Sequence, residues 1–444
     1  MKRPEGFAAF GVIWLGQIVS AVGTRMTAFA LGLWLWQQTG SVLQLSMLAF
    51  CSFGATILVS PVAGALVDRW NRRLTINLSD LGAVVATGGL LLAFLTSAAH
   101  TWELYVVSAL TGTFLAFQFP AYASTITQMV QRGHYPRANA MMSMVRTIPG
   151  VAAPALAATL LTLVDIKAIL LIDTLSYLVA IGTVFLVALP PSPAKEAGTA
   201  PAGMWQDSLF GFRYIARRPP LVATLGLSFV VGLVAAVTYA VMLPLVLAMT
   251  GDSAAKAGIV QSVGAAGGVL GGLLVAALGG RRDPMRYVLL SVICLGVFGR
   301  TLFGLGDNVL VWSFSLLVGW GVIPVIDGYI QSIWQETVEP EVQGRVFAAQ
   351  QFVENLSLPV ALIGSGLLAD HVFEPAMRPG GALAGAFGGL VGTGPGSGMA
   401  LMCVFGGGIL LLIGLAGFAL PLVRHPEAGV SGHETSELES ATAG

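Results

Sequence analysis

The segment Gly64-Ala65-Leu66-Val67-Asp68-Arg69-Trp70-Asn71-Arg72-Arg73 lies between two apolar runs, residues 42–67 and 74–97. A run of about 20 apolar residues is long enough to cross the hydrocarbon core of a bilayer. The segment therefore predicts a charged turn that joins two transmembrane helices at one membrane surface. Taken alone, these residues suit either an anchor that fixes the orientation of the helices or a gate that exchanges ion pairs.

The composition of the chain places it in a lipid bilayer. Of its 444 residues, 55% are hydrophobic and 10% are charged, whereas soluble domains carry roughly 25% charged residues. The formal net charge is zero, which gives no reason to expect a nucleic-acid partner. The three cysteines, Cys51, Cys294 and Cys403, lie far apart in apolar runs. They offer no metal-ligand spacing, and no metal or other cofactor is expected.

Twelve apolar runs are long enough to be spans. Because main-chain groups in lipid must be hydrogen-bonded within the segment, and no run shows strict apolar/polar alternation, the runs predict helices rather than a barrel. We expect an all-α integral membrane protein whose spans lie near 7–36, 42–67, 74–97, 102–128, 139–163, 168–189, 221–249, 256–279, 286–305, 309–336, 346–369 and 399–423.

Lysine and arginine indicate the orientation of these spans. With the N-terminus placed in the cytoplasm, 16 of the 22 basic residues fall on the cytoplasmic side. Cytoplasmic loops carry an excess of such residues. We therefore expect a multi-pass protein of the cytoplasmic (inner) membrane with both termini in the cytoplasm.

The middle of the chain predicts a division into two halves of six helices. Residues 190–204 are rich in Pro, Ala and Gly, and the following stretch places Trp205, Leu209 and Phe212 on one helical face. This pattern favours an interfacial helix, and a plain structured loop is the alternative. The expected parts are an N-terminal bundle over 1–189, a cytoplasmic linker over 190–220, a C-terminal bundle over 221–423 that includes an extended glycine-rich outer loop over 371–398, and a disordered tail over 424–444.

The charged turn resembles the signature loop of the major facilitator superfamily. The residues that match are Gly64, Leu66, Asp68, Arg69, Arg72 and Arg73, and Asn71 stands where the family usually has glycine. Further segments are similar to the branch that contains macrolide-efflux proteins and enterobactin exporters: Trp14-Leu15-Gly16-Gln17, residues 33–41, Gln331-Ser332-Ile333-Trp334-Gln335 and Gly344-Arg345-Val346-Phe347. This resemblance implies a twelve-helix fold in two pseudo-symmetric halves, and a cytoplasmic gate built from the turn, which Asp80 is expected to join.

Two positions depart from the proton-coupled exporters of that family. Ser108, four residues before Gly112, stands where they often have arginine. The fifth-helix antiporter motif survives only in Pro149-Gly150 and Ala153-Pro154. The resemblance therefore does not imply the standard proton relay of those exporters for this chain.

Ionisable residues inside spans are costly and mark functional sites by default. In the family, helices one, four, seven and ten line a central cavity, which favours Arg25 and Asp327 as substrate-contacting or coupling residues. Asp327 is the better candidate for protonation, and a static ion pair is the alternative role. Arg146 and Glu354 occupy equivalent helices and suit gating or structural roles equally, whereas Asp173 is expected to form a structural hydrogen bond.

Aromatic side chains on the cavity helices are candidate substrate contacts, and Tyr122, Tyr239 and Tyr329 are the three tyrosines among them. Apolar walls of this kind suit a bulky amphiphilic molecule. We therefore expect a monomeric secondary transporter that exports a hydrophobic or amphiphilic small molecule, such as a drug, a macrolide or a siderophore-like compound, with protons or another ion as the coupling partner.

Other functions are less well supported by the sequence. No lysine follows a glycine anywhere in the chain, so the phosphate-binding loop of an ATP-driven pump is absent. A membrane enzyme is disfavoured because the five histidines are dispersed, and no catalytic residues are expected. An importer of the same fold is the remaining alternative, since the direction of transport rests on the branch resemblance alone.

Overall fold

The computed structural model describes residues 6–69, 72–130, 135–187, 204–278, 283–340 and 342–419. Within these ranges, the structure describes only the main chain at residues 61, 62, 64–69, 72–74, 119–129, 135–137, 139, 140, 146, 204–209 and 278. The linker over 190–203 and the tail over 424–444 lie outside the described residues.

The described chain is helical and contains no strand. Six long helices come first: α1 (Gly6–Thr39), α2 (Val42–Arg69), α3 (Arg72–Leu95), α4 (Thr101–Met129), α5 (Tyr135–Leu160) and α6 (Ile166–Leu186). A short helix, α7 (Met204–Ala216), precedes α8 (Pro219–Thr250), α9 (Ala254–Leu278) and α10 (Pro284–Cys294). The π-helical segment Leu295–Thr301 continues α10 into α11 (Leu302–Leu305). Then follow α12 (Val309–Thr337), α13 (Gln343–Leu368), the π-helical segment Ala369–Phe373, α14 (Glu374–Met377), α15 (Ala384–Val391) and α16 (Ser397–Ala419).

Helices long and apolar enough to cross a membrane number 11 in the described chain. The remaining predicted span is also a continuous helix, α4. Many large apolar side chains point away from the protein; Leu58 and Leu310, for example, are 79% and 82% exposed. Such surfaces suit hydrocarbon rather than water. The predicted all-α membrane fold is confirmed.

Local sequence explains where several helices begin. The Asp165 carboxylate accepts hydrogen bonds from the main-chain N–H groups of Lys167 and Ala168, at 3.1 and 3.4 Å, at the start of α6. The side chain of Asn308 accepts one from Val311 N at 3.0 Å at the start of α12. These caps satisfy N–H groups that have no partner within the helix.

The chain forms two compact units. The first comprises Met1–Ala197 and Val246–Ser262, and the second comprises Gly198–Leu245 and Val263–Gly444. The end of α8 and the start of α9 belong to the first unit, where Asp252 accepts a hydrogen bond from Trp36 Nε1 at 2.9 Å. In the first unit α1 packs against α5 and α6, and α2 and α3 pack against α4.

The stretch predicted as a short helix after the linker is α7, and it packs against α13 in the second unit. The Arg345 guanidinium lies 4.2 Å above the ring of Phe210, and Phe212 makes an edge-to-face contact with Phe352 at 6.0 Å. Arg218, just after α7, pairs with Glu339 at 3.8 Å. These contacts join the segment after the linker to the second unit.

The glycine-rich segment 371–398 differs from the extended loop that we expected. It contains the short helices α14 and α15. The run Ala384–Val391 ends at Gly392, whose φ of 80° is readily adopted only by glycine. Glycine therefore ends a helix here instead of preventing one.

Candidate functional site

Asp327 lies within the membrane-spanning part of α12 and its side chain is exposed. Pro324, three residues before it, has no main-chain N–H and therefore leaves the carbonyl of Trp320 without its usual helical partner. An exposed carboxyl group in the interior of an apolar helix needs a cation, water or a ligand as a partner.

A second carboxyl group, that of Glu354, lies near Asp327. Glu354 of α13 is half-buried and close enough for its charge to interact with that of Asp327. It accepts a hydrogen bond from Gln350 Nε2 at 3.2 Å, and the hydroxyl of Ser228 on α8 faces it. Two neighbouring negative charges repel each other, so the pair favours a cation between or beside them.

Two aromatic rings lie on the same side of α12 as Asp327. Trp320 and Tyr239 of α8 make an edge-to-face contact with ring centroids 5.5 Å apart. Trp320 precedes Asp327 by seven residues, which is two helical turns or about 10 Å along one face. We call Asp327, Glu354, Tyr239 and Trp320 the acidic–aromatic surface of the second unit.

The acidic–aromatic surface combines two kinds of chemistry. The carboxyl groups can hold a proton or a cationic group, and the rings offer an apolar contact to a bulky molecule. Among the described residues, no group of three or more His, Cys, Asp or Glu side chains is arranged to hold a metal ion. The surface thus suits reversible binding of an amphiphilic molecule.

Tyr329, which was expected to contact the substrate, lies in the protein core. Its side chain is 5% exposed and belongs to the apolar core of the second unit. The ring stacks on Tyr287 with centroids 5.2 Å apart and an interplanar angle of 20°. This placement favours a packing role for Tyr329, because α12 turns it away from the face that carries Asp327.

In the first unit, Arg25 and Asp80 have contrasting environments. Arg25 is exposed on α1 and forms no ion pair with a described residue. Asp80 of α3 is fully buried; its carboxylate accepts hydrogen bonds from Gln118 Nε2 at 2.6 Å and from Gln17 Nε2 at 3.5 Å. The described partners of Asp80 are therefore neutral amides.

Asp173 is also buried in the first unit, at 1% exposure. Its Oδ1 lies 3.3 Å from the hydroxyl oxygen of Thr24 on α1. The hydrogen bond that the sequence suggested is therefore present, and it joins α6 to α1.

Several predicted site residues fall outside the described side chains. These are the gate-motif residues Asp68, Arg69, Arg72 and Arg73, together with Tyr122 and Arg146. The main chain places Gly64, Asp68 and Arg69 in the last turns of α2, and Arg72 and Arg73 in the first turn of α3. The charged turn thus joins two helices, as predicted, and its role as a gate stays a prediction.

Arg300 is not among the predicted site residues, although it lies in an apolar run. Its side chain is 2% exposed in the π-helical segment Leu295–Thr301. The guanidinium donates hydrogen bonds to the carbonyl oxygens of Ala235 and Gly299 at 3.2 and 3.3 Å, and its Nε–H has no partner among the described residues. No pattern in the sequence distinguishes this enclosed arginine from one at a membrane surface.

The fold and sequence resemble those of known transporters. A bacterial homolog of the human lysosomal transporter Spinster has a TM-score of 0.70 at 15% identity, over 97% of this chain and 99% of that one. The nucleoside transporter NupG has a TM-score of 0.68 at 12% identity, over 92% and 99% of the two chains. At these identities the structures establish the fold alone.

Sequence comparison identifies relatives of similar length. Macrolide efflux protein A of Streptococcus pyogenes is 25% identical over 370 residues, which cover 82% of this chain and 90% of the relative. Enterobactin exporter EntS of Shigella dysenteriae is 25% identical over 363 residues, which cover 80% and 84%. These two relatives confirm the branch that the sequence resembled.

The family model described as Major Facilitator Superfamily matches residues 13–362, which is most of the chain. The family and the relatives are membrane transporters rather than enzymes. The protein is therefore a multi-pass transporter of a small molecule, and the chain belongs to the Major Facilitator Superfamily.

Proposed function

We propose that the protein exports a hydrophobic or amphiphilic small molecule across the cytoplasmic membrane by alternating access, with a proton gradient as the driving force. It acts as a monomer with both termini in the cytoplasm. The observation that carries this proposal is the acidic–aromatic surface, in which Asp327 lies near the carboxyl group of Glu354 and about two helical turns along α12 from Trp320 of the Tyr239–Trp320 ring pair.

Each part of that surface has a role in the proposal. Asp327 is the coupling group, because an exposed carboxyl in an apolar helix binds and releases a proton as its surroundings change. Tyr239 and Trp320 contact the apolar part of the substrate. In the first unit, Arg25 of α1 and Tyr122 of α4 are proposed to contact the substrate. The names of the relatives, a macrolide efflux protein and an enterobactin exporter, support bulky amphiphilic cargo and outward transport.

The charged turn is proposed as the cytoplasmic gate of the transporter. Asp68 pairs with an arginine of the turn when this side is closed, and the pair separates when it opens. Arg146 and Glu354 are the further candidates for gating. The support for this role is the family membership together with the position of the turn between α2 and α3.

Transport into inverted membrane vesicles tests this function directly. With a labelled macrolide and, separately, enterobactin, we expect accumulation of at least one of them when the vesicle lumen is acidified, and collapse of that accumulation by a protonophore. Vesicles without the protein are the control. Accumulation that persists in the presence of the protonophore contradicts proton coupling. Uptake only into right-side-out vesicles contradicts export.

Replacing Tyr239 with leucine is expected to weaken substrate binding. An aromatic contact between Tyr239 and the substrate is worth about 0.5–1.5 kcal/mol, and its loss corresponds to roughly a 2- to 12-fold higher KM. Tyr239→Phe keeps the ring and should retain the wild-type KM. The measurement is the initial rate of vesicle transport against substrate concentration. An unchanged KM in Tyr239→Leu would remove the ring pair from the substrate site.

A further inference from the structure

Four polar residues of α1 form a stripe inside the first unit. Gln17, Ser20, Thr24 and Thr27 are spaced by three or four residues and therefore share one helical face. Gln17, Ser20 and Thr27 are only 5%, 2% and 7% exposed. The stripe points into the protein, towards the two buried carboxyl groups of α3 and α6.

The carboxyl group of Asp173 approaches α1 closely at Gly23. A Cβ atom added to Gly23 would lie 2.9 Å from Asp173 Oδ1 and 2.6 Å from Ser176 Oγ. Real Cβ atoms do not sit this near to other heavy atoms, so a side chain at this position would displace the carboxyl group. Glycine at position 23 therefore lets the carboxyl group reach the stripe.

The hydroxyl groups around Asp173 supply few hydrogen bonds to a carboxylate. Ser176 donates its proton to the main-chain oxygen of Asp173 at 2.7 Å. The Thr24 hydroxyl has one proton to donate, and it lies 2.7 Å from Tyr177 Oη and 3.0 Å from the carbonyl oxygen of Ser20, as well as 3.3 Å from Asp173. A carboxylate accepts hydrogen bonds but donates none. The Thr24 hydroxyl is thus a donor that Asp173 shares with two other acceptors.

The Thr27 hydroxyl is a further polar group beside Asp173. It faces the Asp173 carboxyl group, it is buried, and it has no hydrogen-bond partner among the described residues. A buried hydroxyl without a partner is costly. The Thr27 hydroxyl can accept a hydrogen bond from a protonated Asp173 or donate one to its carboxylate, so it offers a partner to either form.

Asp80 has a similar environment further along the stripe. It is fully buried, and its described partners are the side-chain amides of Gln118 and Gln17. Gln17 and Thr24 are seven residues apart on α1, which is about 10 Å along the helix. Tyr177, 3% exposed, is near enough to interact electrostatically with both Asp80 and Asp173. The polar face of α1 thus contacts both carboxyl groups, Asp80 through Gln17 and Asp173 through Thr24.

No described cationic side chain neutralises either carboxyl group. Arg25 is exposed on α1, and Lys167 at the start of α6 pairs with Asp165 at 3.8 Å. On α4, Glu103 pairs with His100. Among the described side chains, the groups that face the two carboxyls from the packed helices are uncharged: Gln17, Thr24 and Thr27 from α1, Gln118 from α4 and Tyr177 from α6. The other charged residues of these helices and of α2 and α5 have side chains outside the description, namely Asp68, Arg69, Arg72, Arg73, Arg137 and Arg146.

We propose that Asp173 and Asp80, joined by the polar stripe of α1 and by Tyr177, form a proton-binding site within the first unit. A buried carboxylate without a cation is strongly disfavoured, and a proton removes the charge without needing a cavity or a ring of oxygen ligands. Each carboxyl binds one proton when enclosed and releases it when its surroundings open. Their use as stations for the coupling proton rests on the proposed function, whereas proton binding itself does not.

Infrared spectroscopy of the purified full-length protein in lipid tests the site without any transport. The carbonyl stretch of a carboxylic acid is separate from the bands of a carboxylate. We expect the wild-type-minus-variant spectrum at neutral pH to contain one acid band for Asp173→Asn and one for Asp80→Asn. Asp165→Asn is the matched control on α6, because Asp165 is exposed and paired with Lys167, and it should give carboxylate bands only.

Two results would overturn the site. Carboxylate bands in place of acid bands for Asp173→Asn show that the buried group is ionised. Carboxylate bands that shift when sodium replaces choline in the buffer show a sodium site instead. A conservative pair of variants checks the geometry: Thr24→Val should shift the acid band of Asp173, and Thr24→Ser, which keeps the hydroxyl, should leave it in place. An unshifted band in Thr24→Val contradicts the proposed contact.

Gradient-driven accumulation in proteoliposomes tests the coupling role separately. We expect Asp173→Asn to bind substrate with an unchanged Kd and to lose accumulation driven by a pH gradient. Wild-type accumulation in this variant overturns the coupling role. If the wild-type protein has the acid bands but its substrate accumulation does not depend on the pH gradient, the proposed export mechanism fails and the proton-binding site stands.

Discussion

Asp327→Asn is expected to abolish proton-coupled transport and to leave the protein folded. Asparagine matches aspartate in size but cannot exchange a proton, so the substrate and the proton gradient are no longer linked. We expect gradient-driven accumulation in inverted vesicles to fall at least about tenfold, the factor that corresponds to ~1.4 kcal/mol. Exchange of labelled for unlabelled substrate, which needs no net proton movement, should persist. Size-exclusion chromatography of the purified variant checks that it is folded.

Two variants in the second unit sharpen this prediction. Glu336→Gln makes the same kind of change at an exposed position near the end of α12, where Ser332 donates a hydrogen bond to the carboxylate at 3.2 Å, and it should transport normally. Asp327→Glu keeps a carboxyl group and should retain part of the activity. Undiminished accumulation by Asp327→Asn would contradict the assignment of coupling to Asp327.

Gly271→Ala in α9 is expected to destabilise the second unit. A Cβ atom at this position would overlap the carbonyl oxygen of Gly321 on α12, and one at Gly267 would overlap that of Leu317. The two main chains touch here, and neither carbonyl can move without disturbing its helix. Overpacking of this kind costs about 1–3 kcal/mol. We expect a lower melting temperature in detergent, by about 2–4 °C for each kcal/mol, and reduced yield.

Gly272→Ala is the matched control for Gly271→Ala. It adds the same methyl group to the neighbouring residue, which is exposed and has no atom within 4 Å of the added Cβ position. Alanine favours a helix over glycine by roughly 0.5–1 kcal/mol, so the melting temperature should stay the same or rise. Equal melting temperatures for the two variants would show that α9 and α12 do not pack as the structure places them.

Much of the fold is predictable from local sequence because lipid imposes a simple rule on it. Each apolar run must form a helix that satisfies its own main chain, and all twelve predicted spans are helical within a few residues of the expected limits. The glycine-rich segment is different, because glycine disfavours a helix without excluding it. The short helices α14 and α15 in this segment pack against α16, whereas composition alone predicted an extended loop.

The chemistry of the candidate site was only partly predictable. Asp327 and Glu354 were recognisable because charges are rare in spans. Their proximity was not, since they lie on different helices. Tyr329 and Tyr239 looked alike in sequence, yet one stacks in the core on Tyr287 and the other contacts Trp320. In a helix that is apolar all round, hydrophobic periodicity does not tell which face is buried.

The sequence by itself therefore determined that this is a helical membrane protein, where its spans lie, and through residues 64–73 which family it belongs to. Only the tertiary structure decided which polar side chains meet, such as Asp173 with Thr24, which are 149 residues apart. The physical reason is that span formation depends on transfer of a single segment into lipid. Contacts between spans depend on how closely helices approach, and glycines such as Gly23 and Gly271 set that distance.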